Sequence, residues 1–223
     1  MSRRKRQIEK VFKVFCEGDT EYNYFEYIRK NKKISLAIKP VNMKGGGYSN
    51  FLSRIQEDAN SNCLAKFIII DADRALSVQG EDKELKKIID YCLVQNESKR
   101  IPHILILDFP DFEYVACLHI FSYKNQEAQQ FIKKELGYSD IDDFKADEKV
   151  YKVLTESGKG SIEQLLSKIN SKTKIINNEF TYHKSKYEVS VRMKYDLDKL
   201  GLRGTNFSDF YDVLANFGVG IDP

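Results

Sequence analysis

Apolar residues in the first half of the chain alternate between unbroken runs and helical spacing. Residues 10–17, with Val11, Phe12, Val14, Phe15 and Cys16, form the nearly continuous run that a strand covered on both faces requires. Tyr24, Phe25 and Ile28 then share one side of a helix for which Asp19 or Thr20 is the expected cap. Residues 34–41 read as a second strand ending at Pro40-Val41. After the loop Gly45-Gly46-Gly47, Phe51, Leu52 and Ile55 mark a helix with Ser49 as its cap. Residues 65–71 are the third strand. Residues 83–95 place Leu85, Ile88, Ile89, Cys92 and Leu93 on one helical stripe, and 103–108 are the fourth strand. This alternation predicts an α/β fold: a Rossmann-like, four-stranded, mainly parallel sheet flanked by helices.

Beyond Pro110 the pattern becomes helical. Phe112, Val115, Ala116 and His119 share one face, and 126–136 and 147–156 read as helices. Ser161 to Gln164 has the form of a capping box ahead of Leu165, Leu166 and Ile169. A last helix over 208–217 carries Phe210, Val213, Leu214 and Phe217, with Gly218 as its stop. Residues 172–200 are rich in Lys and Tyr and show no clear period. The division expected is an α/β core over 1–123 and a mostly helical region, 124–223, packed on it.

Composition adds little constraint. The chain has 223 residues, 42% hydrophobic and 31% charged, and a net charge of +3 from 36 basic and 33 acidic side chains. That balance supports a buried core and leaves room for a local basic patch. No run approaches the ~18 apolar residues of a membrane span. The basic start, Arg3-Arg4-Lys5-Arg6, is followed by no apolar signal core. Cys16, Cys63, Cys92 and Cys117 are scattered without a C-x-x-C pair and lie in or beside apolar segments, the usage of reduced thiols in a cytoplasmic protein.

The chemistry is concentrated at strand ends. Asp71 and Asp73 follow Phe67-Ile68-Ile69-Ile70, and strand alternation would point both carboxylates to one side. Two like charges held together need a cation between them or a proton on one. Glu17-Gly18-Asp19-Thr20-Glu21 follows the first strand, with its two Glu bracketing a turn. Ligand sites in open α/β sheets lie at such ends. Plainer alternatives stand beside these: two solvated carboxylates in a turn for Asp71 and Asp73, and first-turn helix acids for Glu21 and Glu113. His119 reads as a core histidine, Lys145 as a surface lysine, and Gly45-Gly46-Gly47 as a loop lacking the Lys-Ser/Thr of a phosphate-binding motif. Lys184, Lys186, Arg192 and Lys194, interleaved with Tyr182, Tyr187 and Tyr195, suit phosphate neutralisation and base stacking, or equally a solvated strand face.

A Glu-Gly after the first strand and a strand-Asp-x-Asp later resemble a TOPRIM domain. More narrowly, Val14 to Phe25 and Pro110 to His119 resemble the RloB-like family, in which Glu-Gly-x-x-Thr-Glu-x-x-Tyr-Phe opens the domain. This chain has Pro110, Phe112, Glu113 and His119 of that family's second block, but Asp108-Phe109 where the family has Ser-Asn, Tyr114 near its usual Trp, and a shortened Glu-Gly-Asp-Thr-Glu. Asp143-Phe144-Lys145 is similar to its Tyr-x-Lys element. The resemblance implies a metal-dependent nuclease: Glu17 as general acid/base or as a helper in holding metal, Lys145 on phosphate, Asp71 and Asp73 binding Mg²⁺ or Mn²⁺, and Glu21 and Glu113 completing a second metal position. It also implies a nucleic-acid substrate, a role in bacterial defence against phage, and a separate ATPase partner, since the chain has no Walker motif. The alternatives are a catalytically silent TOPRIM scaffold that binds nucleic acid or a partner, and a small RNA-maturation nuclease. No membrane partner is expected, and a homo-oligomer is compatible with the chain.

Overall fold

The computed structural model describes residues 11–32, 37–44, 46–58, 63–98, 101–183 and 188–218. Four strands form in the first half: β1 (Val11–Cys16), β2 (Ala37–Asn42), β3 (Ala65–Asp71) and β4 (His103–Phe109). Helices α1 (Asp19–Asn31), α2 (Gly47–Glu57), the short α3 (Arg74–Ser77) and α4 (Glu81–Glu97) separate them. These strands are parallel, in the order β2-β1-β3-β4, with Cys16 opposite Ile69 and Asp71 opposite Asp108. The sheet has five strands rather than the four expected. A two-residue strand, β7 (Gly204–Thr205), joins β4 antiparallel at the edge.

The apolar runs are continuous because both faces of the sheet are covered. Phe12, Val14, Phe67, Ile69, Ile104 and Ile106 face a core shared with α1, with α5 (Phe112–Leu118) and with residues of the second half. Phe15, Ile68, Ile70, Leu105 and Leu107 face the other side, against α2 and α4. Lys13 and Lys66 interrupt β1 and β3, and both pair with Asp58 beyond the end of α2. Lys66 is only 5% exposed, so the ion pair with Asp58 (3.0 Å) and the bond it donates to the Asp58 carbonyl (2.8 Å) satisfy a buried ammonium.

The second half contains short helices: α6 (Ala128–Phe131) continuing as a π turn over Ile132–Leu136, α7 (Ile141–Ala146), α8 (Val150–Thr155), α9 (Ile162–Ile169) and α10 (Ser208–Asn216). Ser161 caps α9 by accepting from the Gln164 N–H (3.1 Å), and a reciprocal capping box forms at Asp140 and Asp143 ahead of α7. Within 172–200, where no period is visible in the sequence, lies an antiparallel hairpin of β5 (Ile176–His183) and β6 (Glu188–Tyr195). Its burial alternates residue by residue, with Val189, Val191 and Met193 turned inward on β6. On β5 the inward set includes Asn178, which donates to the Leu105 carbonyl (3.0 Å) and to Asp209 (2.8 Å), so hydrophobicity alone hides the period.

Two expected caps are displaced. Gly18, not Asp19 or Thr20, precedes α1, and no side chain caps it. Gly46, at φ +94°, precedes α2, which leaves Ser49 inside the helix.

Three buried rings tie the helices together. The Tyr24 hydroxyl on α1 lies 2.9 Å from His119 Nε2 and bonds Tyr211 on α10, while His119 Nδ1 faces the Val115 and Ala116 carbonyls at 3.2 Å. Nδ1 therefore carries the proton, Tyr24 donates to Nε2 and Tyr211 donates to Tyr24. Burial pushes His119 down to about 4, so it is a neutral core histidine.

Candidate functional site

The carboxyl ends of β1, β3 and β4 bring acids from five segments together. β1 ends at Cys16, and Glu17 leans across the sheet so that its Oε2 accepts the backbone N–H of Asp71 (3.0 Å). The turn at Gly18 is tight: a Cβ there would sit 3.3 Å from Glu21 Oε2. It sends α1 back with Thr20 and Glu21 facing inward. Thr20 donates to Glu113 Oε1 (2.9 Å), which fixes α1 against α5. Glu21 is 3% exposed, and its Oε1 has no hydrogen-bond partner.

Asp71 closes β3. The residue is half-buried, but its Oδ1 is shielded and unpartnered. The Tyr48 hydroxyl donates to the Asp71 carbonyl (2.7 Å) and fixes this strand end from the α2 side. Asp73 does not continue the strand. At φ −61°, ψ −37° it already turns into α3 and is exposed, its N–H donating to the Pro110 carbonyl (3.1 Å). The expectation that Asp71 and Asp73 point together by alternation is therefore corrected, because alternation ends where the strand does. Asp71 looks inward and Asp73 stands on the rim.

Glu113 is 3% exposed on the first turn of α5, which Asp111 caps by accepting from the Tyr114 N–H (2.9 Å). Lys145 on α7 places its ammonium 3.7 Å from Glu113 Oε2, and Asn23 of α1 holds its backbone by donating to the Lys145 carbonyl (3.0 Å).

Two members were not singled out from sequence: Asp108, fully buried at the end of β4, and Asp111. Asp108 satisfies the same criterion as Asp71, a carboxylate closing an apolar strand. Thr205 donates to its Oδ1, while Oδ2 is buried without a partner.

The charges oppose one another. Burial pushes Glu17 up to about 7, with Asp73 and Glu81 adding to the shift against the Asp71 N–H and Arg74. Glu21 and Asp71 are raised well above the carboxylate range, first by burial and then by neighbouring acids. Burial pushes Asp108 up to about 8, against the Thr205 hydroxyl, and Asp111 up to about 6, with Glu113 adding to the shift. Burial works against the charge on Lys145, but Glu113, Asp71, Asp111 and Glu21 outweigh it and hold the ammonium above its ordinary value. Such a cluster takes up protons or hard cations. Among the described residues, no three His, Cys, Asp or Glu side chains are gathered closely enough to hold a metal ion as they stand.

Arg192 and Lys194 do not join this edge. They lie on the outer face of β6, where Lys194 pairs with Glu179 and Arg192 stands opposite Glu179 in the register. Tyr182, at the far end of β5, packs on Phe217, and Phe217 on Phe12 near the start of β1, so that end of the hairpin lies toward the amino ends of the strands. Lys184, Lys186, Gly45 and Arg3 to Arg6 lie outside the described residues. The N-terminus of α2 already meets a carboxylate, since Glu81 accepts the Tyr48 N–H (3.0 Å). A Cβ on Gly47, at φ +80°, would come within 2.7 Å of Glu81 Oε1.

No protein-family model matches the chain, and neither a curated protein nor a solved structure does. Among the described residues no helix is long and apolar enough to cross a membrane.

These charges set an expected pH dependence. Glu17, Asp108 and Asp111 titrate near 7, 8 and 6 when folded, above the ~4 of unfolded carboxylates. Their stabilising contribution is complete below ~4 and is lost as pH rises through the folded values. His103 and His119, both near 4 when folded, act oppositely and only below ~6.5. In chelator, the melting temperature should therefore fall between about pH 6.5 and 8. A flat melting profile in chelator across this window contradicts the electrostatics.

Proposed function

We propose that the chain is a divalent-metal-dependent nuclease with a TOPRIM-type core, related to the RloB-like family it resembles. The observation that carries the reading is the carboxylate edge itself. Glu17 is anchored on the Asp71 N–H, and Glu21 and Asp71 bear shielded oxygens that lack donors. An all-oxygen donor set of this kind suits Mg²⁺ or Mn²⁺. When bound, such cations neutralise phosphodiester oxygens and activate water.

The chain's own residues supply the rest. Asp71, Asp73, Glu21 and Glu113 are the holding set. Glu17, held at the edge by the Asp71 N–H, takes the proton of the attacking water. Lys145, half-exposed beside Glu113, reaches toward the substrate phosphate. The family resemblance extends the proposal to defence against phage alongside a separate ATPase.

The scaffold alternative has one observation in its favour, that the acids are not drawn in around a point as they stand. The decisive assay incubates the purified chain with labelled DNA and labelled RNA in Mg²⁺, Mn²⁺ or chelator. Cleavage is expected with either metal and not in chelator, and Glu17→Gln should lower its rate about 100-fold, the scale on which a lost transition-state group acts. A preference for structured RNA would favour the RNA-maturation variant. Absence of cleavage on every substrate would leave the scaffold reading standing.

A further inference from the structure

We infer that Asp108 is a further cation-holding residue of this centre, closing an inner position with Glu21 and Asp71 at the carboxyl ends of β3 and β4. The inference rests on the metal-dependent reading above and adds a residue to it. The resembled family carries Ser at this position, so the role is not inherited from the resemblance.

Three carboxylate oxygens in this region are shielded and without a donor: Glu21 Oε1, Asp71 Oδ1 and Asp108 Oδ2. They come from three elements, α1, β3 and β4. Asp71 and Asp108 are opposite one another in the parallel register, so their side chains leave the same face of adjacent strands. Glu21 and Asp108 both oppose charge on Asp71, and Asp108 opposes charge on Glu21. A buried acceptor left unpaired is destabilising by about 1–3 kcal/mol, more when charged. Three such oxygens together, with no protein donor directed at any of them, leave a position that a proton or a cation must complete.

The second Asp108 oxygen explains which atom is left for that role. Thr205 donates to Oδ1 and is itself oriented by the Phe207 N–H (2.8 Å), so Oδ2 is the oxygen turned free. Closing the three oxygens on one point requires movement, and Glu21, with the longest side chain, supplies the reach. The plainer arrangement is a proton shared between Asp71 and Asp108, with no cation at that depth.

Calorimetric titration of the full chain with Mn²⁺ separates these. Wild type should bind about two ions, as two-metal phosphodiester chemistry requires. Asp108→Asn keeps an oxygen for Thr205 and should lose one equivalent or weaken it about tenfold or more. Thr205→Val, which removes only the positioning hydroxyl, should weaken the same ion about tenfold and serves if the Asn variant does not fold. Unchanged stoichiometry and affinity in Asp108→Asn, or in Thr205→Val where that variant stands in, overturns the inference while leaving the metal-dependent reading intact. Failure of wild type to bind Mn²⁺ at all overturns both.

Discussion

Asp71→Asn should reduce metal-dependent cleavage at least about 100-fold, a loss of about 2.7 kcal/mol in transition-state stabilisation. The substitution preserves shape. The backbone N–H that anchors Glu17 and the carbonyl that receives the Tyr48 hydroxyl both belong to residue 71 and survive it. Only the charge is removed, from an oxygen that has no protein donor. The variant should therefore fold, and in chelator it should melt no lower than wild type, because it relieves repulsion with Glu21, Glu17, Glu113 and Asp108. Initial rates on labelled substrate at saturating Mn²⁺ measure the effect. Asp73→Asn, on the exposed rim, should lose less. Retention of more than about a tenth of wild-type activity by the Asp71 variant would remove this carboxylate from the chemistry.

Phe210→Ala should destabilise the fold by about 3–5 kcal/mol, the range for a buried ring replaced by a cavity. Phe210 is fully buried, with ring centroids of Phe25 at 4.8 Å and Phe67 at 5.1 Å, so α10 is packed against both α1 and β3. Since α1 carries Glu21 and β3 carries Asp71, the C-terminal helix supports the acidic edge from beneath. Urea unfolding measures the change. A loss below about 1 kcal/mol would mean that α10 is dispensable to the core.

The strands that build the site are legible because burial on both faces leaves them continuous and apolar. For the same reason Glu17 and Asp71 are conspicuous where those runs end. Asp73 misleads because periodicity says where a side chain points only while the strand lasts, and here the chain turns at once into α3. Asp108 carries the same signal as Asp71, since an acid follows the apolar run of β4 as it does that of β3. The β5-β6 hairpin is hidden by chemistry. Its inward Asn178 is satisfied by the Leu105 carbonyl and Asp209, so a polar residue occupies a core-facing position. β7 spans two residues and carries no pattern of its own. It is defined by tertiary contact, where Gly204 leaves room for the Thr173 carbonyl that no Cβ could share. The side-chain bonds that order the acids, Thr20 to Glu113 and Thr205 to Asp108, join residues far apart in the chain and have no local signature.

A crystal soaked in Mn²⁺ and measured at the manganese absorption edge gives the most direct view of whether this edge grips hard cations. Anomalous density is expected at the carboxyl ends of β1 and β3, in contact with carboxylate oxygens of Glu21 or Asp71. Saturating Mn²⁺ with no anomalous density there, or density only at exposed surface acids, would contradict a metal-dependent centre at this site.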